Sequence, residues 1–254
     1  MWSRPILKSN AKEAIRGGKY WVAYLVSAMI MFVPPLLEWV TGYSEIYQKW
    51  VDGVAAGIRL VDRNVFTAYS LSYFLFNVFI MLPLIVGLHG FFVRNRFHAG
   101  KFTDVFMGFR NGYGNVVFTS FVTSLFIGLW TLLLIIPGIY KAFQYILVPF
   151  LLSDNPKLSG SRARQISRMM TDGEKASIFV LTLSFLGWFA LILLGIIVLG
   201  MLHIPEIVID ILTSLAMCSV LPYFYASMAE LYIFLRDRAI QTGMVQPEEL
   251  NLMG

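Results

Sequence analysis

An all-α membrane helix bundle is the fold that the sequence predicts. Three observations predict it: six long apolar stretches, too little charge to coat a globule, and basic residues gathered on one side. Of 254 residues, 57% are hydrophobic and 14% charged, and the mean hydropathy is +0.69. Soluble domains are about 45–50% apolar and about 25% charged. A soluble enzyme, a disordered tail and a nucleic-acid module are therefore poor readings, despite a pI of 9.3. A single cysteine, Cys218, excludes a disulfide framework, and with three scattered histidines it leaves no structural zinc site. No metal and no cofactor is expected.

A bilayer-crossing helix needs about 20 mainly apolar residues at about 1.5 Å rise each. The chain offers 20–40, 68–93, 116–136, 138–153, 176–202 and 207–235 as a six-span membrane domain. Residues 1–19 then form a cytoplasmic amphipathic helix, and 236–254 a cytoplasmic tail. The fourth span is short, at about 24 Å. Fusing it with the third would give one helix of about 57 Å, nearly twice the hydrocarbon thickness of about 30 Å.

Charge argues against fusion as well. With six spans and an inside N-terminus, sixteen of the twenty Lys and Arg residues fall inside; Lys49, Arg59, Arg63 and Lys141 do not. Five spans would put Lys157, Arg162, Arg164, Arg168 and Lys175 on the wrong side of this positive-inside pattern. Both termini are thus expected in the cytoplasm. The first apolar run is too long for a cleavable signal and lacks a small-x-small exit, so it is expected to remain as a span.

Short amphipathic helices are expected between the spans. At 100° per residue, 6–16 sets Leu7, Ala11, Ala14 and Ile15 against a stripe of Lys8, Lys12 and Arg16. Residues 102–109 gather Phe102, Val105, Phe106 and Phe109 on one side. Residues 160–171, with Ser159 as N-cap, set Ala163, Ile166 and Met170 against Arg164 and Arg168. Each precedes a glycine-containing turn and a span, so the chain reads as three copies of inner helix, span and return span. Lys8, Lys12, Arg16, Arg164 and Arg168 are the candidates for anionic lipid headgroups, and insertion orientation alone is the competing explanation of the basic rim. In the long connection 42–66, Glu45, Lys49, Asp52, Arg59 and Arg63 share a helical face opposite Ile46, Trp50, Val54, Ile58 and Val61. A helix on the outer surface and a loop packed across the bundle both fit.

Ionisable groups inside spans are costly and are expected to face protein or water. Glu230 stands six residues before Arg236, which is a candidate partner. Lys141 follows Pro137-Gly138 near the outer end of its span, where pairing with Asp210 or simple snorkelling is expected. His89 reads as a hydrogen-bonded anchor, and Cys218 as a small core residue. Pro34, Pro35, Pro83, Pro137, Pro149 and Pro222 fall within or at the ends of spans, where each interior proline frees a carbonyl.

Several motifs in the second half carry a resemblance. They are Leu129-Trp130-Thr131-Leu132-Leu133-Leu134-Ile135-Ile136-Pro137-Gly138-Ile139, then Lys141-Ala142 and Tyr145, and Leu152-Ser153-Asp154-Asn155-Pro156. Ser167-Arg168-Met169-Met170, Leu183-Ser184-Phe185-Leu186-Gly187-Trp188 and Pro222-Tyr223 with Ala226, Ala229 and Tyr232 follow in order. Together they resemble the six-helix bacterial membrane proteins of the domain-of-unknown-function 975 family, over about residues 100–235 and by topology before that. The resemblance implies a bacterial cytoplasmic membrane and supplies no activity. No nucleophile, acid/base or nucleotide motif is present, so the chain is not expected to be an enzyme. A small transporter, flippase or export accessory with a cavity between kinked helices is the first functional expectation. The alternative is a non-catalytic scaffold or immunity-type protein binding lipid or another membrane protein.

Overall fold

A computed structural model describes residues 2–110 and 112–251, all in helices and their connections. Helix α1 (Arg4–Ala14) leads into α2 (Lys19–Thr41), α3 (Tyr43–Ala56) and α4 (Arg63–Phe76). A π-helical segment, Asn77–Met81, joins α4 to α5 (Leu82–Arg96). After a 3-10 helix at Phe102–Phe109 come α6 (Tyr113–Leu133), α7 (Ile135–Gln144), α8 (Val148–Asp154) and α9 (Gly160–Met170). Then α10 (Lys175–Leu183), α11 (Leu186–Met201), α12 (Glu206–Gln241) and a 3-10 turn at Pro247–Leu250 complete the chain. Among the described residues, six stretches are long and apolar enough to cross a membrane: Lys19–Thr41, Arg63–Arg96, Tyr113–Leu133, Ile135–Asp154, Lys175–Met201 and Val208–Gln241.

The boundaries move where a local interaction outweighs hydropathy. Asp62 accepts hydrogen bonds from the Asn64 and Val65 amides at 2.8 and 3.4 Å, starting α4 five residues before the expected second span. The third and fourth stretches separate at Leu134, whose backbone is extended, and not at Pro137. Pro137 lies in the first turn of α7, where its missing N–H has no partner to lose. At the C-terminus α12 runs past Arg236 to Gln241, and the tail folds back to bury Val245 and Leu250.

Residues 42–62 settle as a helix and a turn. Gly42 and Gly57, with φ of 70° and 69°, bound α3 in the left-handed conformation that glycine adopts without strain. The Ile58 amide reaches the Gly53 carbonyl at 2.9 Å, closing the helix. The expected charged face therefore breaks: Glu45, Lys49 and Asp52 stay on α3, Arg59 lies beyond its end, and Arg63 opens α4. Trp50 stacks on Phe66 at 4.2 Å and Tyr43 on Tyr73 at 4.7 Å, so α3 folds back along α4.

The tightly packed core occupies one pole, the one carrying α1, α9 and most of the charge. Phe91, Phe92, Phe150, Phe185 and Tyr232 are all buried there. Helix α5 touches α8 and α12, and Phe150 of α8 stacks on Tyr232 of α12 at 5.0 Å. Away from this pole the helices expose apolar faces, and neither α4 nor α11 buries a residue. A lateral surface of this kind suits lipid chains.

Glycines bring the 3-10 helix onto α5. A Cβ on Gly87 would lie 1.8 Å from the Val105 carbonyl oxygen, and one on Gly108 would lie 2.2 Å from that of Pro83. The expected phenylalanine face at 102–109 does not form, because a 3-10 helix winds about three residues per turn rather than 3.6. Val105, Met107 and Gly108 are buried, while Phe102 and Phe106 are exposed. One carbonyl that a proline frees has a visible partner: Phe79, four residues before Pro83, accepts the Tyr113 hydroxyl at 2.9 Å.

Gly87→Ala is expected to destabilise by about 1–3 kcal/mol, because the new methyl meets backbone. Gly128→Ala, with nothing within 4 Å, should be neutral or slightly stabilising. Thermal unfolding of both variants in the same detergent checks this contrast.

Candidate functional site

The span helices end at the packed pole in a belt of ion pairs. Glu230 of α12, 5% exposed, has its Oε1 2.5 Å from Arg96 Nε at the end of α5. Its Oε2 accepts from Asn10 Nδ2 of α1 at 3.3 Å. Three elements far apart in sequence therefore meet at one carboxylate.

Arg236 is not the partner of Glu230. Six residues on a helix turn through about 600°, which leaves the two side chains about 120° apart around α12. Arg236 points instead to Asp154 at the end of α8, at 3.3 Å, and also meets Asp237 at 3.1 Å. The Tyr232 hydroxyl donates to the same Asp154 oxygen at 2.6 Å. Sequence offers Arg96 no role and Asp154 only a place in the 152–156 motif, because each meets its partner only through tertiary packing. The one available signal was their position at span ends on the basic side.

The belt continues through Arg94 and Asp104 at 2.9 Å, and through Arg238 and Glu174 at 2.6 Å. Glu174 also accepts from the Trp2 indole at 2.9 Å. Arg162 of α9 holds Glu249 with Nε at 2.8 Å and Nη2 at 3.0 Å. The Arg162 hydrogen bonds, assisted by the Gln246 amide and opposed by partial burial, hold the Glu249 carboxyl below its ordinary pKa. The same bonds raise that of Arg162.

Lys141 does not pair with Asp210. Its ammonium donates to Gln144 Oε1 at 3.1 Å and sits over the Trp130 and Tyr145 rings, at 5.2 and 5.9 Å. Asp210 is exposed near the start of α12. His89 Nδ1 lies 2.6 Å from the Ile85 carbonyl, with the ring edge-on to Phe150 and Tyr225. That is an anchored core position.

The basic residues in and just after α1 and in α9 divide into two kinds. Lys8 donates to the Ser184 carbonyl at 3.4 Å, where α10 breaks from α11, and lies 4.2 Å over Phe185. Partial burial, then Lys12 and Arg4 nearby, lower its pKa from the ordinary value. Lys12 sits 5.5 Å over Tyr223, and Arg164 5.4 Å over Phe126. Arg16 and Arg168 are exposed.

Among the described residues no group of three His, Cys, Asp or Glu side chains could hold a metal ion. Open grooves lie between helices. One of about 490 Å3 is lined by Leu37, Tyr43, Tyr69 and Tyr73, and another of about 410 Å3 lies between α11 and α12. A smaller one of about 290 Å3 runs past His89, Ser120 and Thr123.

Six long apolar helical stretches and a lateral surface of bare hydrophobic side chains define a multi-pass integral membrane protein. Residues 6–239 match the family described as Protein of unknown function (DUF975), and the chain belongs to that family. No curated protein and no solved structure matches it.

Removing Arg96 strands a buried carboxylate, so Arg96→Gln is expected to cost roughly 2–3 kcal/mol, reduced from the fully buried case by the exposure of Arg96. Glu230→Gln should cost less, and the double variant should recover part of the Arg96→Gln loss. Additive effects in a double-mutant cycle of detergent melting would refute the coupling.

The Glu249 contact predicts a pH dependence. A depressed carboxylate pKa stabilises the docked tail above the ordinary carboxylate range, about 4.3, and that contribution disappears as pH falls through the depressed value. Protection against hydrogen exchange at residues 245–251, corrected for the intrinsic rate at each pH, should be high at pH 7 and lost towards pH 3, and in Arg162→Gln it should already be low at pH 7.

Proposed function

We propose that the protein is a non-catalytic scaffold of the bacterial cytoplasmic membrane, with both termini cytoplasmic, that gathers anionic lipid and a membrane-protein partner. The observation that carries this reading is the fate of the charges within the long helices. Glu230 and Asp154 are consumed in ion pairs that join helices, and the grooves between helices are chiefly apolar. A transporter or flippase working through Glu230 or Lys141 would need those groups to face a polar passage. Glu230 instead lies buried between Arg96 and Asn10, and Lys141 rests on aromatic rings.

The scaffold is a ring of three modules in this reading. Each has an inner segment, an outgoing helix and a return helix: α1 with α2 and α4–α5, the 3-10 helix with α6 and α7–α8, and α9 with α10–α11 and α12. The three return helices meet in the middle. Each inner segment packs on the return helix of the module before it: the 3-10 helix on α5, α9 on α8, and α1 on α12, closing the ring. The basic side chains that remain exposed, including Lys12, Arg16 and Arg168, then surround one face at headgroup level.

Lipid analysis of the purified protein tests the reading. Lys12→Gln with Arg16→Gln and Arg168→Gln should lower co-purified anionic lipid several-fold without loss of fold, and an unchanged lipid profile would overturn lipid recognition. Membrane-impermeant thiol labelling should reach Gln48→Cys from outside, and Ser161→Cys and Thr242→Cys only after the membrane is opened.

A further inference from the structure

We propose that α6 and α7 form a re-entrant hairpin, which enters the inner leaflet from the basic pole, turns at Leu134 inside the hydrocarbon and returns without crossing. The proposal rests on the orientation above for the identity of the side.

Reach is the first argument. The carbonyl of Gln144, the last residue of α7, accepts the Ser167 hydroxyl at 2.8 Å and the Thr171 hydroxyl at 3.4 Å. This end of α7 therefore sits on α9, whose Arg162, Arg164 and Arg168 keep it out of the hydrocarbon. Between Gln144 and the turn α7 has ten residues. They extend about 15 Å, half of the hydrocarbon thickness of about 30 Å.

The other leg agrees. Thr119 of α6 lies against Gly160, the first residue of α9, where an added Cβ would be 2.6 Å from its hydroxyl oxygen. From Thr119 to Leu133 the helix advances about 21 Å, before any tilt. Leaving the same level, Lys175–Met201 has 27 residues, enough for about 40 Å.

The tip has the chemistry of lipid and not of water. Leu132, Leu133, Leu134, Ile135 and Ile136 are 85, 72, 65, 69 and 81% exposed, and Pro137, Gly138 and Ile139 add no polar side chain. By contrast, the connection at 42–62 carries Glu45, Lys49, Asp52, Arg59 and Asp62. A contiguous apolar tip in water is a liability, and in acyl chains it is solvated.

Two backbone bonds close the turn. The Leu134 amide reaches the Trp130 carbonyl at 3.0 Å, and the Gly138 amide reaches that of Leu134 at 3.1 Å. Pro137 has no N–H to lose. Gly138 lets the legs close, since a Cβ there would lie 2.2 Å from the Thr131 hydroxyl oxygen. Lys141 then stands one turn from Gln144, near the inner headgroups, rather than at the outer end of a span.

The test is depth measurement in full-length protein reconstituted into vesicles with anionic lipid, on a Cys218→Ala background. Spin labels at Leu134→Cys and, independently, Ile136→Cys should show high oxygen and low nickel-chelate accessibility at mid-bilayer depth. Both sites should resist impermeant maleimide from either side. Nickel exposure or maleimide reaction on the Gln48→Cys side would overturn the hairpin. Exchanged labelling of Gln48→Cys and Thr242→Cys would overturn the orientation instead, while mid-bilayer depth at residue 134 would still uphold the hairpin.

Discussion

Charge that cannot remain alone in hydrocarbon organises this molecule. A carboxylate within or at the end of a membrane helix is tolerable only when paired or wet. Here Glu230 and Asp154 solve the problem with partners on other helices, and so each pair is also a tertiary link. Arg96 draws α5 to α12, and Arg236 draws α12 to α8. Asn10 adds α1 to the first junction, and Trp2 with Arg238 fastens the N-terminus through Glu174. The core aromatics pack where these links hold the helices together, and the helices expose apolar faces where the links are absent.

Close approach is the second constraint, and it follows from the first. Lipid supplies no hydrophobic drive between helices, so contact depends on fit and on polar bonds. Gly87 and Gly108 allow the 3-10 helix to lie backbone to backbone on α5, which carries Asp104 to Arg94. The same economy appears at Pro83, where the kinked ladder leaves the Phe79 carbonyl free and the Tyr113 hydroxyl fills it. Prolines here serve packing at least as readily as a substrate passage.

A pair-locked pole and bare apolar faces elsewhere fit a protein whose business is with the membrane and its residents. The exposed basic residues surround the locked end, and open grooves lie between the helices. A hairpin held by α9 would displace lipid chiefly in one leaflet, giving the molecule an asymmetric footprint.

Hydropathy by itself determined six long apolar helical stretches, because about 20 residues without charge leave a chain few alternatives. Helical periodicity likewise determined the buried faces of α1 and α9, where Leu7, Ala11, Ala163 and Ile166 are inside as their spacing requires. Periodicity failed at 102–109, because contact with glycines on α5 selected a 3-10 winding that no local pattern announces. The partners of Glu230 were also beyond its reach. Sequence offered Arg236 by proximity, but helix phase turned it toward Asp154, and Arg96 arrived from 134 positions away. Span length was legible because it depends on one segment's transfer into lipid. Pairing was decided by tertiary structure, because it depends on where a second segment holds the first.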